Sequence, residues 1–185
     1  MKRSWIVLGG LLVVLAILGA QAYNGLVQRN EAVDESWAQV ETVLQRRYDL
    51  IPNLVNTVKG YATHERELLA EITRLRSQWG ASRGVEDKVS TARELEGALG
   101  RLMVVLERYP DLKANQNFLA LQDELAGTEN RIAVERRRYN ETVREYNVAV
   151  LRFPANVVAG LTGFAKRDVY FEATKGAAEA PKVQF

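Results

Sequence analysis

The 185-residue chain contains no cysteine, which excludes disulfide bonds and thiolate chemistry. It has 25 Lys and Arg against 23 Asp and Glu, and two of the basic side chains but none of the acidic ones lie in residues 1–23. The rest of the chain is therefore formally neutral. This balance argues against a nucleic-acid binder, because such proteins usually carry a strong basic excess.

The chain begins with an apolar segment that is long enough to cross a membrane. Uncharged residues run from Trp5 to Tyr23, with Gln21 as the one strongly polar member. A helix of this length spans about 28 Å, close to the ~30 Å hydrocarbon core of a bilayer, and it satisfies its own backbone groups. Residues 1–23 are therefore predicted to be a transmembrane signal-anchor, whose membrane residues include Trp5, Leu8, Leu12, Leu15, Leu18 and Tyr23.

The same segment has a second interpretation, a secretory signal that is cleaved after Ala22, because Ala20-Gln21-Ala22 fits the small-x-small cleavage pattern. The apolar run is longer than a usual signal core and continues without a break into a helical pattern, which favours a retained anchor. Lys2 and Arg3 precede the run, whereas residues 24–43 hold one basic and four acidic side chains. The positive-inside rule then places the N-terminus in the cytoplasm and the following domain outside it.

Beyond residue 23 the apolar side chains recur every three or four residues, which is the period of one helix face. No segment alternates with period two for long enough to predict a strand. Striped helices with short links predict an all-α fold, an antiparallel four-helix bundle over residues 24–171, followed by a disordered tail at 172–185. The predicted helices cover about 30–50, 52–80, 92–109 and 113–152.

The segment Asp49-Leu50-Ile51-Pro52 is compatible with two structures. Asp49 as an N-cap and Pro52 in a first helical turn would let the chain reverse there. Alternatively, Pro52 only kinks one long helix that runs from the membrane to Trp79. We favour the reversal, because it gives a compact up-down-up-down bundle. It would return residue 153 to the membrane, whereas the kinked helix would leave residue 153 at the far tip.

The last helix has the most regular pattern, with an aromatic or aliphatic residue every seven positions from Phe118 to Phe153. The companion positions are polar in the middle, so this seam is weaker than a coiled coil needs. Within it, the pairs Tyr139-Asn140 and Tyr146-Asn147 share a face, and we expect tyrosines at a core edge with hydroxyls reaching water. The run Arg136–Arg138 predicts a charged outer face.

The sequence offers little support for catalysis. His64 is the only histidine and lacks the second His at i+4 that a zinc-protease helix requires. Neither a nucleophile elbow nor a phosphate loop is present. We therefore predict no catalytic residues, no metal ligands, no cofactor and no enzymatic activity. The apolar segment 153–171 predicts either a strap over the open end of the bundle or an element that dips into the lipid headgroups.

Three separated blocks of residues resemble the LemA family. The first is Arg46-Arg47-Tyr48-Asp49-Leu50-Ile51-Pro52-Asn53, continuing to Tyr61. The second begins at Tyr109-Pro110 and includes Asn115, and the third comprises Tyr139-Asn140, Tyr146-Asn147 and Phe153-Pro154. The resemblance implies an N-terminally anchored helical bundle of bacterial envelopes and no settled activity. The signature residues, for which it implies a structural or partner-contact role, are Arg46, Arg47, Asp49, Pro52, Asn53, Tyr61, Tyr109, Pro110, Asn115, Tyr139, Asn140, Tyr146, Asn147, Phe153 and Pro154.

These observations lead to three functional hypotheses. The first is a single-pass, membrane-anchored scaffold or protein-interaction protein of the bacterial cell envelope, in contact with the lipid bilayer and an unidentified protein partner or further copies of itself. The second, which rests on the family resemblance alone, is an adaptor for a membrane zinc protease or a membrane-shaping factor. The third is a ligand sensor with a Tyr- and Asn-lined pocket between helices.

Overall fold

The computed structural model of the protein describes residues 2–62 and 64–171. This part of the chain is helical and contains no strand, which confirms the predicted all-α fold. The predicted tail, residues 172–185, lies outside the described residues. The helices are α1 (Lys2–Lys59), α2 (Arg66–Ala81), α3 (Val85–Leu106), α4 (Pro110–Lys113), α5 (Gln116–Leu151) and α6 (Ala155–Thr162).

The predicted membrane segment and the first helix of the bundle form one continuous helix, α1. Its side chains from Trp5 to Leu18 are exposed, whereas Leu26 and the later core-facing positions are buried. By length and composition the apolar segment of α1 is able to cross a membrane. At the helical rise, the part of α1 beyond Tyr23 extends for about 54 Å.

The predicted reversal at Asp49–Pro52 is wrong, because α1 continues through Pro52. A proline provides no N–H for the carbonyl four residues earlier, which is that of Tyr48. Here the Tyr48 oxygen accepts a hydrogen bond from Arg76 Nε of α2 at 3.2 Å. Asp49 caps no helix, and its carboxylate accepts a hydrogen bond from Gln45 Nε2 at 2.7 Å along α1.

The chain reverses instead between Lys59 and Arg66. Tyr61 N and Ala62 N both donate to Val58 O, at 3.0 and 2.9 Å, where α1 ends. The alternative of one kinked helix up to Trp79 is therefore wrong as well. The amphipathic pattern continues across this turn and gives little sign of it, so the predicted helix over 52–80 joined parts of two helices.

Beyond the apolar segment of α1, helices α1 and α3 run away from that segment, and α2 and α5 run back toward it. α5 packs along α1, and α2 packs on both α1 and α3. Near the lower end of α3, Lys88 forms an ion pair with Glu41 of α1. We call residues 41–136 the distal region, and residues 24–40 together with 137–171 the proximal region.

In the proximal region the short helix α6 accompanies α1 and α5. α6 packs on both, and the ring of Phe164 lies 5.9 Å from the ring of Tyr23 in an edge-to-face arrangement. Residue 153 therefore returns to the end of α1 that carries the apolar segment. The favoured hypothesis expected this return, although the reversal that produces it lies elsewhere in the sequence.

Candidate functional site

The two asparagines of the Tyr–Asn pairs bind an extended segment of the chain, residues 164–171, which we call the strap. Asn147 Nδ2 donates to Arg167 O at 2.8 Å, and Asn147 Oδ1 accepts from Arg167 N at 2.9 Å. Asn140 binds Phe171 in the same way, with distances of 2.7 Å to Phe171 O and 2.9 Å from Phe171 N. A carboxamide has an acceptor oxygen and two N–H donors. Each asparagine side chain therefore pairs with both backbone groups of one strap residue, as a neighbouring β-strand would.

The hydroxyl of Tyr146, in the second of these pairs, is also hydrogen-bonded within the protein. Tyr146 Oη donates to Ala165 O at 2.9 Å, so the expectation that its hydroxyl reaches water is wrong. Asn147 Nδ2 makes a further hydrogen bond to Tyr170 Oη at 2.7 Å. Burial raises the pKa of Tyr146 and of Tyr139 above the ordinary phenol value.

The strap also reaches α1 and α3. Arg167 donates to Asn30 Oδ1 at 2.9 Å and forms an ion pair with Asp34 at 3.1 Å. On the other side, Arg93 NH2 donates to Tyr170 O at 3.0 Å. The strap thereby connects the helices that bound the lower end of the bundle.

An aromatic cluster surrounds Phe171 at the end of the strap. The Trp37 ring stacks on Phe171 with centroids 6.2 Å apart, and the Tyr139 ring meets both edge-on at 5.6 and 5.9 Å. Arg136 lies over the Phe171 ring at 5.0 Å and donates to Glu96 at 2.8 Å. Arg136 is therefore largely buried, and the predicted charged outer face is wrong for this member of the arginine run.

The first signature block lies in the distal region. Arg46 forms an exposed ion pair with Glu124 at 3.0 Å. Arg47 is 6% exposed and forms an ion pair with Glu129, while its Nε has no hydrogen-bond partner among the described residues. This pair lies in a groove of about 420 Å³ between α3 and α5, whose other lining residues are Glu96, Leu99, Gly100, Met103, Gln122, Leu125 and Ala126.

The second block ties the tip of the bundle together. Asn115 Oδ1 caps α5 by accepting from Asn117 N and Phe118 N, at 2.9 and 3.2 Å. Its Nδ2 donates to Tyr61 Oη at 2.9 Å, which joins the α1–α2 turn to α5. Pro110 starts α4, where a missing N–H costs nothing.

Tyr109 completes this tip. Its Oη donates to Glu65 Oε1 at 3.0 Å, and desolvation together with this hydrogen bond to Glu65 raises the pKa of Tyr109. Asn53, in the first block, is exposed on α1, and its backbone oxygen accepts a hydrogen bond from Thr57 Oγ1 at 2.8 Å.

The end of the proximal region has a different character. Phe153 and two side chains of α6, Val157 and Leu161, are 77, 54 and 82% exposed. Pro154 occupies the N-cap position of α6. At the same end of the bundle, a groove of about 300 Å³ between α1 and α5 is lined by Arg29, Arg144, Glu145, Val148, Ala149 and Arg152.

The signature residues do not converge on one reaction centre, because they are distributed along α1 and between the tip, the α3–α5 groove, the strap contacts and the start of α6. Within residues 2–62 and 64–171 there is no group of three or more His, Asp or Glu side chains that would hold a metal ion. Sequence reasoning missed Arg76, Glu65 and Arg167 as partners. The groups that these side chains bind are distant in sequence, so local patterns do not reveal them. Arg167 alone had a local signal, because it lies at the basic end of the apolar segment.

Comparison with known proteins gives consistent results. The model of the LemA family matches residues 36–185. Magnetosome protein MamQ 2 of Paramagnetospirillum magneticum is 27% identical over 92% of this chain and 74% of its own length. Magnetosome protein MamQ of Magnetospirillum gryphiswaldense is 26% identical over 83% of this chain and 66% of its own. Protein LemA of Metamycoplasma hominis is 28% identical over 86% and 71%.

Proposed function

Because the chain belongs to the LemA family, we propose that it is a membrane-anchored helical scaffold of the bacterial cell envelope, which binds other proteins and catalyses no reaction. The observation that carries this proposal is the continuity of α1 from the apolar segment to the tip of the bundle. A helix without an intervening loop fixes the position and orientation of the bundle relative to the membrane segment. Each surface of the bundle would therefore be held at a constant height above the bilayer.

The same continuity supports retention of the apolar segment as an anchor. Cleavage after Ala22 would cut α1 in the middle of a helix, four residues before its first buried core side chain, Leu26. We propose that the N-terminus is cytoplasmic and that the bundle lies on the other side of the membrane, in agreement with the charge asymmetry. The mass of the mature protein tests retention, and the accessibility of a single cysteine at an exposed distal position in intact cells tests the side.

The α3–α5 groove is the surface of the distal region that best suits a protein partner. Its apolar lining consists of the half-buried Met103 over the buried Leu99 and Leu125, beside the Arg47–Glu129 ion pair. A Cβ atom on Gly100 would meet no neighbour within 4 Å, so there is room for another chain against α3.

Photo-crosslinking of the full chain in its native membranes tests the scaffold. A photoreactive residue at Met103 should give a discrete adduct with a membrane-associated protein or with a second copy of the chain. The control position is Val134, which is exposed on α5 next to Val43 of α1 rather than in the groove. Recovery of only uncrosslinked monomer from a panel of positions around the bundle would contradict the proposal.

A narrower version of this function is a membrane-shaping factor or an adaptor for a membrane protease. Relatives that are named as magnetosome proteins, and that are 26–27% identical to this chain over most of its length, motivate the first of these. Altered membrane morphology after deletion would support it, and unchanged morphology would count against it. The ligand-sensor hypothesis loses its motivation, because the polar groups of Asn140, Tyr146 and Asn147 are engaged by the strap.

A further inference from the structure

We propose that α6 and the preceding Phe153 form a second membrane contact, with their exposed apolar side chains inserted at the interface of the bilayer that α1 enters. This inference rests on the proposed anchoring of α1 in a membrane. The occupant of the exposed face is thus a phospholipid surface. The protein would be held against the bilayer at two places rather than standing off it on a single stem.

The first argument is the composition of α6, which contains no charged residue and only Asn156 and Thr162 as polar side chains. Its inner face, with Ala159 buried and Val158 half-buried, packs on the core of the bundle. Its outer face is also apolar, with Val157 and Leu161 on one side of the helix and Phe153 just before it. A surface helix of a water-soluble domain would normally have charged side chains there, so this outer face is suited to lipid.

The second argument is the height of α6 on the molecule. It packs on α1, and Gly19 and Ala22 are the first residues of α1 beyond the freely exposed segment that are partly covered. The strap residue Phe164, just after α6, touches Tyr23, the last residue of the apolar run. α6 therefore lies level with the end of the predicted membrane span. Interfacial helices bury their apolar faces at this depth, about 5–10 Å into the boundary between headgroups and acyl chains.

The third argument is the charge at the same end of the bundle. Arg29, Arg144 and Arg152 line the groove between α1 and α5 together with Glu145, Arg144 also forms an ion pair with Glu141, and Lys166 is exposed near the start of the strap. Arg29 lies about 9 Å above Tyr23 at the helical rise, at the outer edge of the headgroup region, which is about 5–8 Å thick. Basic side chains at this height attract anionic headgroups, so charge and apolar surface favour the same occupant.

Because the chain contains no cysteine, single cysteines can carry an environment-sensitive fluorophore in the full-length protein. We would label Leu161→Cys, reconstitute it in vesicles of phosphatidylcholine and phosphatidylglycerol, and compare quenching by shallow nitroxide lipids with quenching by aqueous iodide. The matched control is Val104→Cys, a 73% exposed aliphatic residue of α3 near the far tip. Leu12→Cys reports whether α1 itself is in the membrane.

The expected result is a several-fold stronger lipid quenching at position 161 than at position 104, together with weaker iodide quenching. If position 12 is quenched by lipid but position 161 is as open to iodide as position 104, α6 faces water and this inference fails while the anchoring stands. If position 12 is also open to iodide, the anchoring itself fails. Protection of position 161 that disappears on dilution of the protein in lipid would identify a second copy as the occupant and overturn the proposal.

The arginines are tested separately. In the Leu161→Cys protein, the double substitution Arg144→Gln and Arg152→Gln should at least halve the gain in lipid quenching that phosphatidylglycerol produces over phosphatidylcholine alone. An unchanged gain would remove these arginines from the contact.

Discussion

The distal and proximal regions are built on the same two helices, α1 and α5, but they are closed by different interactions. In the distal region α2 and α3 cover them with buried aliphatic side chains such as Leu75 and Leu102. In the proximal region a segment without regular structure does so, and its backbone groups are bound by Asn140 and Asn147. The contrast shows that an irregular segment can replace a helix when side chains satisfy its peptide groups.

The two regions should respond differently to substitutions in the residues that cover α1 and α5. Burial of apolar surface contributes about 1.5–3 kcal/mol for each large side chain and is shared across the whole core. Hydrogen bonds to the strap contribute about 1 kcal/mol each and depend on a few directional contacts. We therefore expect the strap to open locally, while the distal region unfolds as one unit.

The largest effect should come from a charge in the distal core. Leu102→Asp places a carboxylate at a position of α3 that is fully buried, which should cost about 4 kcal/mol or more and unfold the bundle. Urea unfolding in detergent, followed by circular dichroism, measures this loss. Val104→Asp, two residues along and exposed, should stay within about 0.5 kcal/mol of the parent, and equal losses at the two positions would refute the assigned core face.

A smaller and local effect is expected in the proximal region. Asn147→Ala removes the hydrogen bonds to Arg167 and Tyr170, which should cost about 2–3 kcal/mol. Hydrogen exchange of the Arg167 amide should then accelerate by about 30- to 150-fold, because about 1.4 kcal/mol corresponds to a factor of ten. Asn156→Ala, at an exposed position of α6, is the control. If amides of α2 and α3 lost protection equally, the two regions would be a single cooperative unit.

A third experiment tests how α1 passes through Pro52. Arg76→Met removes the donor to Tyr48 O and should cost about 1–2 kcal/mol, since a part-buried carbonyl loses its partner. In a Pro52→Ala background the restored N–H can serve that carbonyl, so the same substitution should cost about 1 kcal/mol less. A double-mutant cycle in urea measures the difference, and additive costs would show that Arg76 acts independently of the proline.

The smallest effect on stability is expected for Tyr48→Phe. The Tyr48 hydroxyl is buried without a hydrogen-bond partner among the described residues, so its removal should be neutral or stabilise by up to about 1 kcal/mol. Burial raises the pKa of Tyr48 in the folded protein, whereas the unfolded side chain ionises near pH 10. Its contribution is therefore complete below pH 10 and decreases as pH rises above that value.

Unfolding free energies at pH 8 and pH 10.5 test this prediction. The parent should lose more stability between the two pH values than Tyr48→Phe does, although Tyr139 and Tyr146 also have a raised pKa and contribute to the loss. Destabilisation of Tyr48→Phe by more than about 1 kcal/mol at pH 8 would indicate that the hydroxyl has a partner.

The outcome of the sequence predictions depends on how local their physical basis was. The helix predicted over 113–152 corresponds to α5, Gln116–Leu151, because its heptad pattern and flanking prolines are local signals. Pro52 was misinterpreted because a proline that starts a helix and a proline inside one look alike in sequence. The difference here is made by Arg76, whose guanidinium is brought to the Tyr48 carbonyl by the packing of α2 on α1.

The amino-acid sequence by itself determined the apolar segment, the helical character of the chain and the faces that each helix buries, because periodicity and hydropathy are local properties. Only the tertiary structure decided where α1 ends, that Asn140 and Asn147 bind the strap, and that α6 lies beside the end of the apolar segment. These outcomes depend on hydrogen bonds and contacts between residues that are far apart along the chain. Such partners are selected by the packing of the helices, so the pattern around each residue does not reveal them.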